Sequence, residues 1–256
     1  MHAKQRIVII GATSTIAQHC ARLWAAQYES IEFHLVGRDE QKLVHISQDL
    51  TVRNPKAICQ THRLDFNDPL TIAKFAAGFQ EKIDIVLIAH GWLADQATCQ
   101  TDLINIKAAL DINASSPALF AQAFLNQLQQ HNHGTLAVIG SVAGDRGRRS
   151  NYIYGAAKGL IERFVEGQQH HVAGLANNRV RVILIKPGPT DTPMTASIKQ
   201  LGGAKAKTLA SVESVASLIV KGIEQGKPVI YAPKKWGLIM WVVRHLPAFI
   251  FNKINI

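Results

Sequence analysis

Tyr154 and Lys158 stand four positions apart in a segment with helical spacing, and their side chains could carry out acid–base chemistry. Residues four apart lie on the same face of a helix, so we expect the ammonium of Lys158 close to the phenol of Tyr154. A tyrosine normally loses its proton at a pKa of about 10, and a neighbouring cation lowers that pKa. The pair predicts a proton donor that works near neutral pH, although the same four-residue pattern also arises by chance in many helices.

Ser141 and Asn113 add two polar side chains earlier in the chain. The hydroxyl of Ser141 could donate a hydrogen bond to a carbonyl oxygen while Tyr154 protonates that oxygen. The amide of Asn113 could anchor a water that resupplies protons through Lys158. We therefore expect Asn113, Ser141, Tyr154 and Lys158 to form a catalytic centre for a carbonyl group.

Short runs rich in Ile and Val alternate with longer segments of helical spacing, which predicts repeated βαβ units and a parallel sheet. We expect helices to open at Ser14, near Asp39 and after Asn67-Asp68-Pro69, and to cover Thr101–Gln130 and Asn151–Leu175. Ligands of such α/β sheets bind beyond the carboxyl ends of the strands, where these polar residues fall. The seven predicted strands are Arg6–Ile10, Ile31–Val36, Ala57–Arg63, Asp84–Ala89, Gly134–Gly140, Val180–Lys186 and Val229–Tyr231.

A tight turn follows the first predicted strand and leads into a helix whose free N–H groups could receive a pyrophosphate. The turn reads Gly11-Ala12-Thr13-Ser14-Thr15-Ile16-Ala17, with Thr15 and Ala17 where glycines are usual in dinucleotide-binding loops. A structural strand–helix turn is the alternative. Arg38 follows the second strand, where an acidic residue would accept from a ribose 2′-OH, so the sequence favours NADP(H) over NAD(H).

Residues after the third and fourth strands could complete this dinucleotide site. Asp65 could accept from the adenine amino group, and Gly91 allows the ribose to approach the backbone closely. His90 is interpreted as a wall residue because no nucleophile or metal ligand stands near it in the sequence. The full set of predicted cofactor-binding residues is Gly11, Thr13, Ser14, Thr15, Ile16, Arg38, Asp65, Phe66, Ala89, His90, Gly91, Tyr154, Lys158, Pro187, Gly188, Thr190 and Thr192.

In order and spacing, the four catalytic candidates resemble the Asn-Ser-Tyr-Lys tetrad of the short-chain dehydrogenase/reductase family. The resemblance implies a Rossmann-like doubly wound sheet of seven mainly parallel strands, with helices on both faces. It also implies an NADP(H)-dependent reductase of a small-molecule or lipid-linked carbonyl substrate, one domain over 1–256, and a homodimer or homotetramer. The segment from Pro187 to Thr192 resembles the family's Pro-Gly-x-x-x-Thr turn, and residues 187–210 are expected to form a substrate lid.

Composition limits the remaining classes of function. The chain has 256 residues, of which 47% are hydrophobic and 18% charged, as expected of a globular protein. Cys20, Cys59 and Cys99 form no metal-binding or disulfide pattern, and the chain opens directly into a strand, so we expect no metal and a cytoplasmic protein. The net charge of +10 indicates an anionic partner, but no nucleic-acid-binding motif accompanies it, so nucleic acid is not expected.

The segment 234–256 combines four large aromatic residues with basic ones, so we expect it to contact an anionic membrane surface or to pack on protein. The loop from Ser141 to Gly155, the Gly11 turn and the final Trp236, Met240 and Leu246-Pro247 resemble reductases of decaprenylphosphoryl-2-keto-pentoses. That resemblance implies a flavoenzyme partner in a two-step epimerisation.

Arg146, Arg148 and Arg149 could receive a substrate phosphate or form a solvated loop. The alternatives are a reductase of a soluble ketone or 3-oxoacyl substrate, and a non-catalytic nucleotide-sensing or scaffold protein.

Overall fold

A seven-stranded parallel sheet lies at the centre of the computed structural model, which describes residues 4–196 and 209–254. The strand order is β3-β2-β1-β4-β5-β6-β7, with a reversal of chain progression between β1 and β4. This is the predicted Rossmann-like doubly wound sheet, and every predicted strand end lies within one residue of the observed one. The strands are β1 (Gln5–Ile10), β2 (Ile31–Gly37), β3 (Ile58–Arg63), β4 (Ile85–Ile88), β5 (Thr135–Ile139), β6 (Arg181–Pro187) and β7 (Val229–Ala232).

Helices cover both faces of the sheet because the central strands are apolar on both sides. In β1, Ile7 and Ile9 pack against one set of helices, while Val8 and Ile10 pack against the other. This alternation follows from the two-residue period of a strand. The first set is α1 (Thr15–Gln27), α2 (Glu40–Arg53) and α8 (Val212–Glu224); the second is α3 (Pro69–Ala77), α6 (Ser116–His131) and α7 (Tyr152–Ala173).

The predicted helix over Thr101–Gln130 is wrong as a single helix. The chain instead forms α4 (Gln96–Thr101), α5 (Leu103–Leu110), a π-helical turn over Asp111–Ser115, and then α6. Pro117 has no N–H to donate to the carbonyl four residues earlier, which favours a break in the regular ladder at this point. The break places Asn113 in the π-helical turn, and its side chain bonds to Trp92 in the loop after β4.

The C-terminal segment packs with one side and exposes the other. It forms α9 (Lys235–His245) and α10 (Ala248–Phe251). Met240 and Val243 are buried against Val142, whereas Leu238 and Trp241 keep 71% and 62% of their surface exposed. Among the helices of the described residues, none combines the length and the apolar character required to cross a bilayer. The segment therefore packs on the rest of the chain, as one of the two expectations had it, and the opposite side of α9 stays exposed and apolar.

The predicted lid, 187–210, lies only partly within the described residues, because 197–208 fall outside them. Its two described ends are joined by a parallel bridge between Thr190 and Ala210. The amide of Ala210 also donates to the carbonyl of Pro189 at 3.0 Å. The function of the segment as a lid stays a prediction.

Candidate active site

The ends of β4 and β5 and the start of α7 bring three of the catalytic candidates to one cavity of about 170 Å³. Ser141 follows β5 directly and accepts a hydrogen bond from the amide of Ala143 at 3.1 Å, which begins a short 3₁₀ turn. Tyr154 and Lys158 lie in the first two turns of α7. Apolar residues, the turn at Pro187 and Gly188, and the polar residues Arg148 and Asn151 also line this cavity.

The protonation of Tyr154 differs from the expectation. Burial raises its pKa to about 12, and a side-chain hydrogen bond with Ser141 lowers it only in part. Lys158 was expected to lower this pKa, but its Nζ lies 5.9 Å from the centroid of the tyrosine ring and donates to the carbonyl oxygen of Ile139 at 3.0 Å. Tyr154 is therefore a protonated phenol at neutral pH, which is the form that a proton donor requires.

Lys158 is buried, and this burial lowers the pKa of its ammonium to about 8. Desolvation disfavours the charged form of a lysine, and no carboxylate of the described residues forms an ion pair with it. The group is thus close to half-protonated at slightly alkaline pH. It can hold a proton or release one within the working range of most enzymes.

Asn113 lies fully buried beside Lys158. Its amide nitrogen donates to the carbonyl oxygens of Trp92 at 2.7 Å and Ala109 at 2.8 Å, and its oxygen accepts from the amide of Trp92 at 2.8 Å. A Cβ added to Gly91 would stand 3.1 Å from the Asn113 oxygen and 3.6 Å from Lys158 Nζ. Asn113 thus holds the loop after β4 against the lysine, and it does not line the 170 Å³ cavity.

The turn after β1 forms the floor of a second cavity, of about 300 Å³, which adjoins the first. Gly11 has a positive φ of 81°, and a Cβ there would stand 2.6 Å from the amide nitrogen of His90. Only glycine fits this position. Ser14 begins α1 without a side-chain cap, so the first N–H groups of the helix remain suited to an anion. Thr15 is the first helical residue of α1, so its backbone does not require glycine.

Arg38 lines the outer part of this second cavity beside Gly37. It is exposed, and within residues 4–196 and 209–254 its guanidinium forms no ion pair or hydrogen bond. Asp39, next to it, is occupied as the cap of α2 and accepts from the amide of Lys42 at 3.1 Å. The guanidinium is therefore free to bind a phosphate group.

His90 closes the inner wall of the cavity. Burial, with the nearby charges of Lys158 and Arg38, lowers its pKa to about 3. Its Nε2 lies 3.0 Å from the hydroxyl of Ser116, and its ring makes edge contacts with Phe66 and Phe120. A neutral, packed imidazole fits the predicted wall residue.

Most of the predicted cofactor-binding residues line one of the two cavities. Asp65 does not: its carboxylate is exposed and accepts from the amide of Asn67 at 2.9 Å. Some lining residues were not predicted, and those in the 300 Å³ cavity share no recognisable motif. The predicted residues that line the 300 Å³ cavity are Gly11, Thr13, Ser14, Thr15, Ile16, Arg38, Phe66, Ala89, His90, Gly91 and Thr192. Those that line the 170 Å³ cavity include Tyr154, Lys158, Pro187, Gly188 and Thr190. The lining residues that were not predicted include Asn67, Ile112, Met194, Leu93 and Asn151.

A buried ionic cluster includes Asp145, in the turn that follows Ser141. Lys186 Nζ is 2.6 Å from Asp145 Oδ1 and 2.7 Å from Glu162 Oε1, and all three side chains are almost fully buried. Arg244 of α9 reaches the same Asp145 oxygen at 3.2 Å. The cluster links β6, the turn after Ser141, α7 and the C-terminal segment. No group of three or more potential metal ligands occurs among the described residues.

The three arginines after Ser141 have separate environments. Arg146 donates to the carbonyl oxygens of Val243 and Leu246 at 2.6 Å each and lies over the ring of Phe251, so it holds the C-terminal segment. Arg149 is exposed and lines neither cavity. Arg148 alone of the three lines the smaller cavity.

The arrangement is compatible with a nicotinamide dinucleotide. A glycine without room for a Cβ, a helix N-terminus without a side-chain cap and an unpaired guanidinium line one continuous edge of the sheet. These are the groups that bind a pyrophosphate and a further phosphate in a doubly wound sheet. The Ser141–Tyr154 pair lies at the other end of this edge, where a reacting carbonyl would stand.

Comparison with known proteins agrees with this geometry. The family model described as short chain dehydrogenase matches residues 5–201. An uncharacterized oxidoreductase of Streptomyces coelicolor is 29% identical, with 97% of this chain and 95% of that protein aligned. An uncharacterized oxidoreductase of Mycobacterium tuberculosis is 27% identical, with 97% and 96% aligned.

Solved structures show the same fold. A short chain dehydrogenase from Burkholderia cenocepacia in complex with NADP has a TM-score of 0.77 at 18% identity, covering 98% of this chain and 97% of that one. A short-chain dehydrogenase from Sphingobium yanoikuyae in complex with NADPH has a TM-score of 0.78 at 19% identity, covering 95% and 97%. With the family match extending over most of its length, the chain belongs to the short chain dehydrogenase family and is an NAD(P)-dependent oxidoreductase.

Proposed function

We propose that this protein is an NADPH-dependent reductase that protonates a substrate carbonyl with Tyr154. The observation that carries the proposal is the hydrogen-bonded pair of Ser141 and Tyr154, which faces a cavity beside the dinucleotide cradle. Reduction leaves negative charge on the carbonyl oxygen, which a nearby acid must neutralise. The cofactor supplies the hydride, and the protein supplies the proton.

Tyr154 gives its phenolic proton to the substrate oxygen, and Ser141 donates a second hydrogen bond to that oxygen. A pKa raised to about 12 keeps the phenol protonated until the oxygen becomes basic. Such donors, fixed in position before the reaction, lower the barrier where the charge develops. Ser141 is fixed by its position at the start of the 3₁₀ turn.

Lys158 returns the proton to Tyr154 and binds the nicotinamide ribose. Its pKa of about 8 makes its ammonium a suitable donor toward a phenolate of higher pKa. The Ile139 carbonyl orients the ammonium, and Asn113 fixes the adjoining loop at Trp92. We assign Asn113 this positioning role and propose that a water held near it supplies Lys158.

We propose NADPH as the physiological cofactor because Arg38 offers a free guanidinium where the 2′-phosphate would stand. The Burkholderia and Sphingobium structures, which hold NADP and NADPH, support the assignment. The adenine would lie against Phe66 and the neighbouring Asn67. Asp65 could contact the adenine only if its exposed carboxylate turned away from the amide of Asn67.

The test is consumption of NADPH by the purified protein with a panel of ketones, 3-oxoacyl thioesters and keto-sugars, with the alcohol product identified. We expect turnover with at least one class and one alcohol formed per NADPH oxidised. Tight NADPH binding without turnover of any class would instead support the non-catalytic nucleotide-sensing alternative.

We further propose a lipid-linked carbonyl substrate, supported by the exposed apolar face of α9 and α10. Leu238, Trp241 and Phe249 keep 71%, 62% and 70% of their surface exposed, and Lys234, Lys235 and Lys253 flank them. Aromatic residues and cations in this arrangement suit the headgroup region of an anionic membrane. A flavoenzyme that forms the keto group would be the partner in this scheme.

Flotation with vesicles of phosphatidylglycerol and phosphatidylcholine tests the lipid contact. The wild-type chain should float with the vesicles, and the variant Leu238→Ser with Trp241→Ser should not. Equal flotation of both would remove the membrane contact, and a soluble ketone would then be favoured as the substrate class.

We also propose a homo-oligomer, either a dimer or a tetramer. Leu103 and Ile104 at the start of α5 are largely exposed apolar side chains, which supports burial by a second copy. Light scattering after gel filtration should give a mass at least twice that of the chain. A monomer at micromolar concentration would contradict the proposal.

A further inference from the structure

Arg148 occupies an unusual position for a charged side chain. It lines the 170 Å³ cavity that also contains Ser141 and Tyr154. One terminal nitrogen donates to the carbonyl oxygen of Val142 at 3.0 Å and lies 3.4 Å from the sulfur of Met240. Its Nε is buried and has no partner among the described residues. Burial lowers the pKa of this guanidinium, yet an arginine remains charged at neutral pH.

The nearby carboxylate of Asp145 favours the charged guanidinium only through space, and this effect is smaller than the opposing effect of burial on the pKa of Arg148. Asp145 Oδ1 is bound by Lys186 and Arg244, while its Oδ2 is buried without a hydrogen-bond partner among the described residues. No ion pair joins Asp145 to Arg148 within the described parts of the chain. Arg148 as a whole is half-buried, but a buried Nε donor that is left unfilled is costly unless a ligand supplies the acceptor. The neighbouring arginines do not share this condition, since Arg146 is bonded to backbone carbonyls and Arg149 faces solvent.

A second unfilled group lies in the same cavity. Asn151 begins α7, but its side chain makes no capping bond, and its buried oxygen has no partner among the described residues. An asparagine at this position normally caps the helix. The cavity therefore combines a free cationic donor with a free neutral acceptor, both close to the residues that act on the carbonyl.

We propose that Arg148 anchors an oxyanion of the substrate, a carboxylate or a phosphate group carried on the same molecule as the reacting carbonyl. Asn151 accepts a hydrogen bond from a hydroxyl of that substrate. This site is separate from Arg38, which lines the other cavity. The inference rests on the proposed function only in taking this cavity as the substrate site.

Binding to the protein saturated with NADP⁺ tests the site without turnover, because the oxidised cofactor cannot reduce a ketone and its phosphates occupy their own site. Two matched pairs serve as probes in calorimetric titrations: 4-oxopentanoate with its methyl ester, and dihydroxyacetone phosphate with dihydroxyacetone. We expect the charged member of at least one pair to bind about ten-fold or more tightly than the neutral member, as for a charge-assisted hydrogen bond. The pair that shows the preference distinguishes a carboxylate from a phosphate.

The variant Arg148→Gln keeps N–H donors without charge and should bring the charged-to-neutral ratio close to one. Arg148→Lys should keep part of the preference, and Arg149→Gln, one residue away, should keep all of it. An unchanged ratio in Arg148→Gln, or no charge preference in either pair, would overturn the proposal. A chain that oxidises no NADPH but shows this Arg148-dependent preference would contradict the proposed function and leave the anion site standing.

Discussion

Lys186 Nζ lies 2.6 Å from Oδ1 of Asp145, and both side chains are almost completely buried. Lys186→Met removes the buried cation shared by Asp145 and Glu162 and leaves these carboxylates only the more exposed Arg244 and Arg163 as ion-pair partners among the described residues. Because breaking a buried ion pair is strongly unfavourable, the substitution should lower the free energy of unfolding by about 3–5 kcal/mol. Urea unfolding followed by circular dichroism measures the change. Lys221→Met on the exposed side of α8 is the matched control and should change the free energy little. Equal loss in both variants would mean that the ion pair has no special role.

The buried His34 should make the protein less stable in mild acid. Burial lowers its folded-state pKa from 6.5 to about 4, so the unfolded chain binds an extra proton between these values. The contribution of neutral His34 to the free energy of unfolding is fully present above about pH 6.5. It falls as the pH drops toward 4 and changes no further below that value. Urea unfolding at pH 4.5, 5.5 and 7.5 should show this fall, with a shallower slope in His34→Leu. The same slope in the variant would assign the fall to other groups.

Lys158 should give the reaction an alkaline limit. Its pKa is lowered to about 8, so the ammonium that serves Tyr154 is lost as the pH rises through this value, while Tyr154 stays protonated. We expect kcat for reduction to fall above pH 8 in the wild type. The variant Lys158→Arg should stay charged over this range. Its kcat should be lower than that of the wild type, and the fall in kcat should begin at a higher pH. A rate independent of pH between 7 and 9.5 would contradict the assignment.

Arg38 should determine the choice between the two nicotinamide cofactors. Replacing it by alanine removes the charge opposite the 2′-phosphate, so KM for NADPH should rise about ten-fold or more while KM for NADH changes little. Lys42→Ala, one turn into the adjoining α2, controls for a general loss of positive charge. A wild-type protein that prefers NADH would contradict the proposed cofactor.

The sequence was sufficient to predict the sheet, because buried parallel strands appear in a sequence as short apolar runs. It also predicted that Ser141, Tyr154 and Lys158 lie together near the strand ends, and they line one cavity there, while their catalytic roles stay a prediction. The break in the helix around Asn113 was not predictable from local pattern, since its side-chain bonds reach Trp92, twenty-one residues earlier. The three arginines after Ser141 look alike in sequence and differ only in tertiary partners. Likewise, the hydrogen bond from Lys158 to the carbonyl of Ile139 depends on how α7 packs against β6 and against the 3₁₀ turn after β5, which local sequence does not reveal.

The most direct test of the central claim is the rate of NADPH oxidation by Tyr154→Phe with the best ketone substrate. The substitution removes only the phenolic oxygen, so the variant should fold and bind NADPH as the wild type does. We expect kcat to fall at least 100-fold, because the substrate oxygen loses its proton donor. Unchanged kcat in a variant that is folded and binds NADPH normally would contradict the assignment of Tyr154 as the acid.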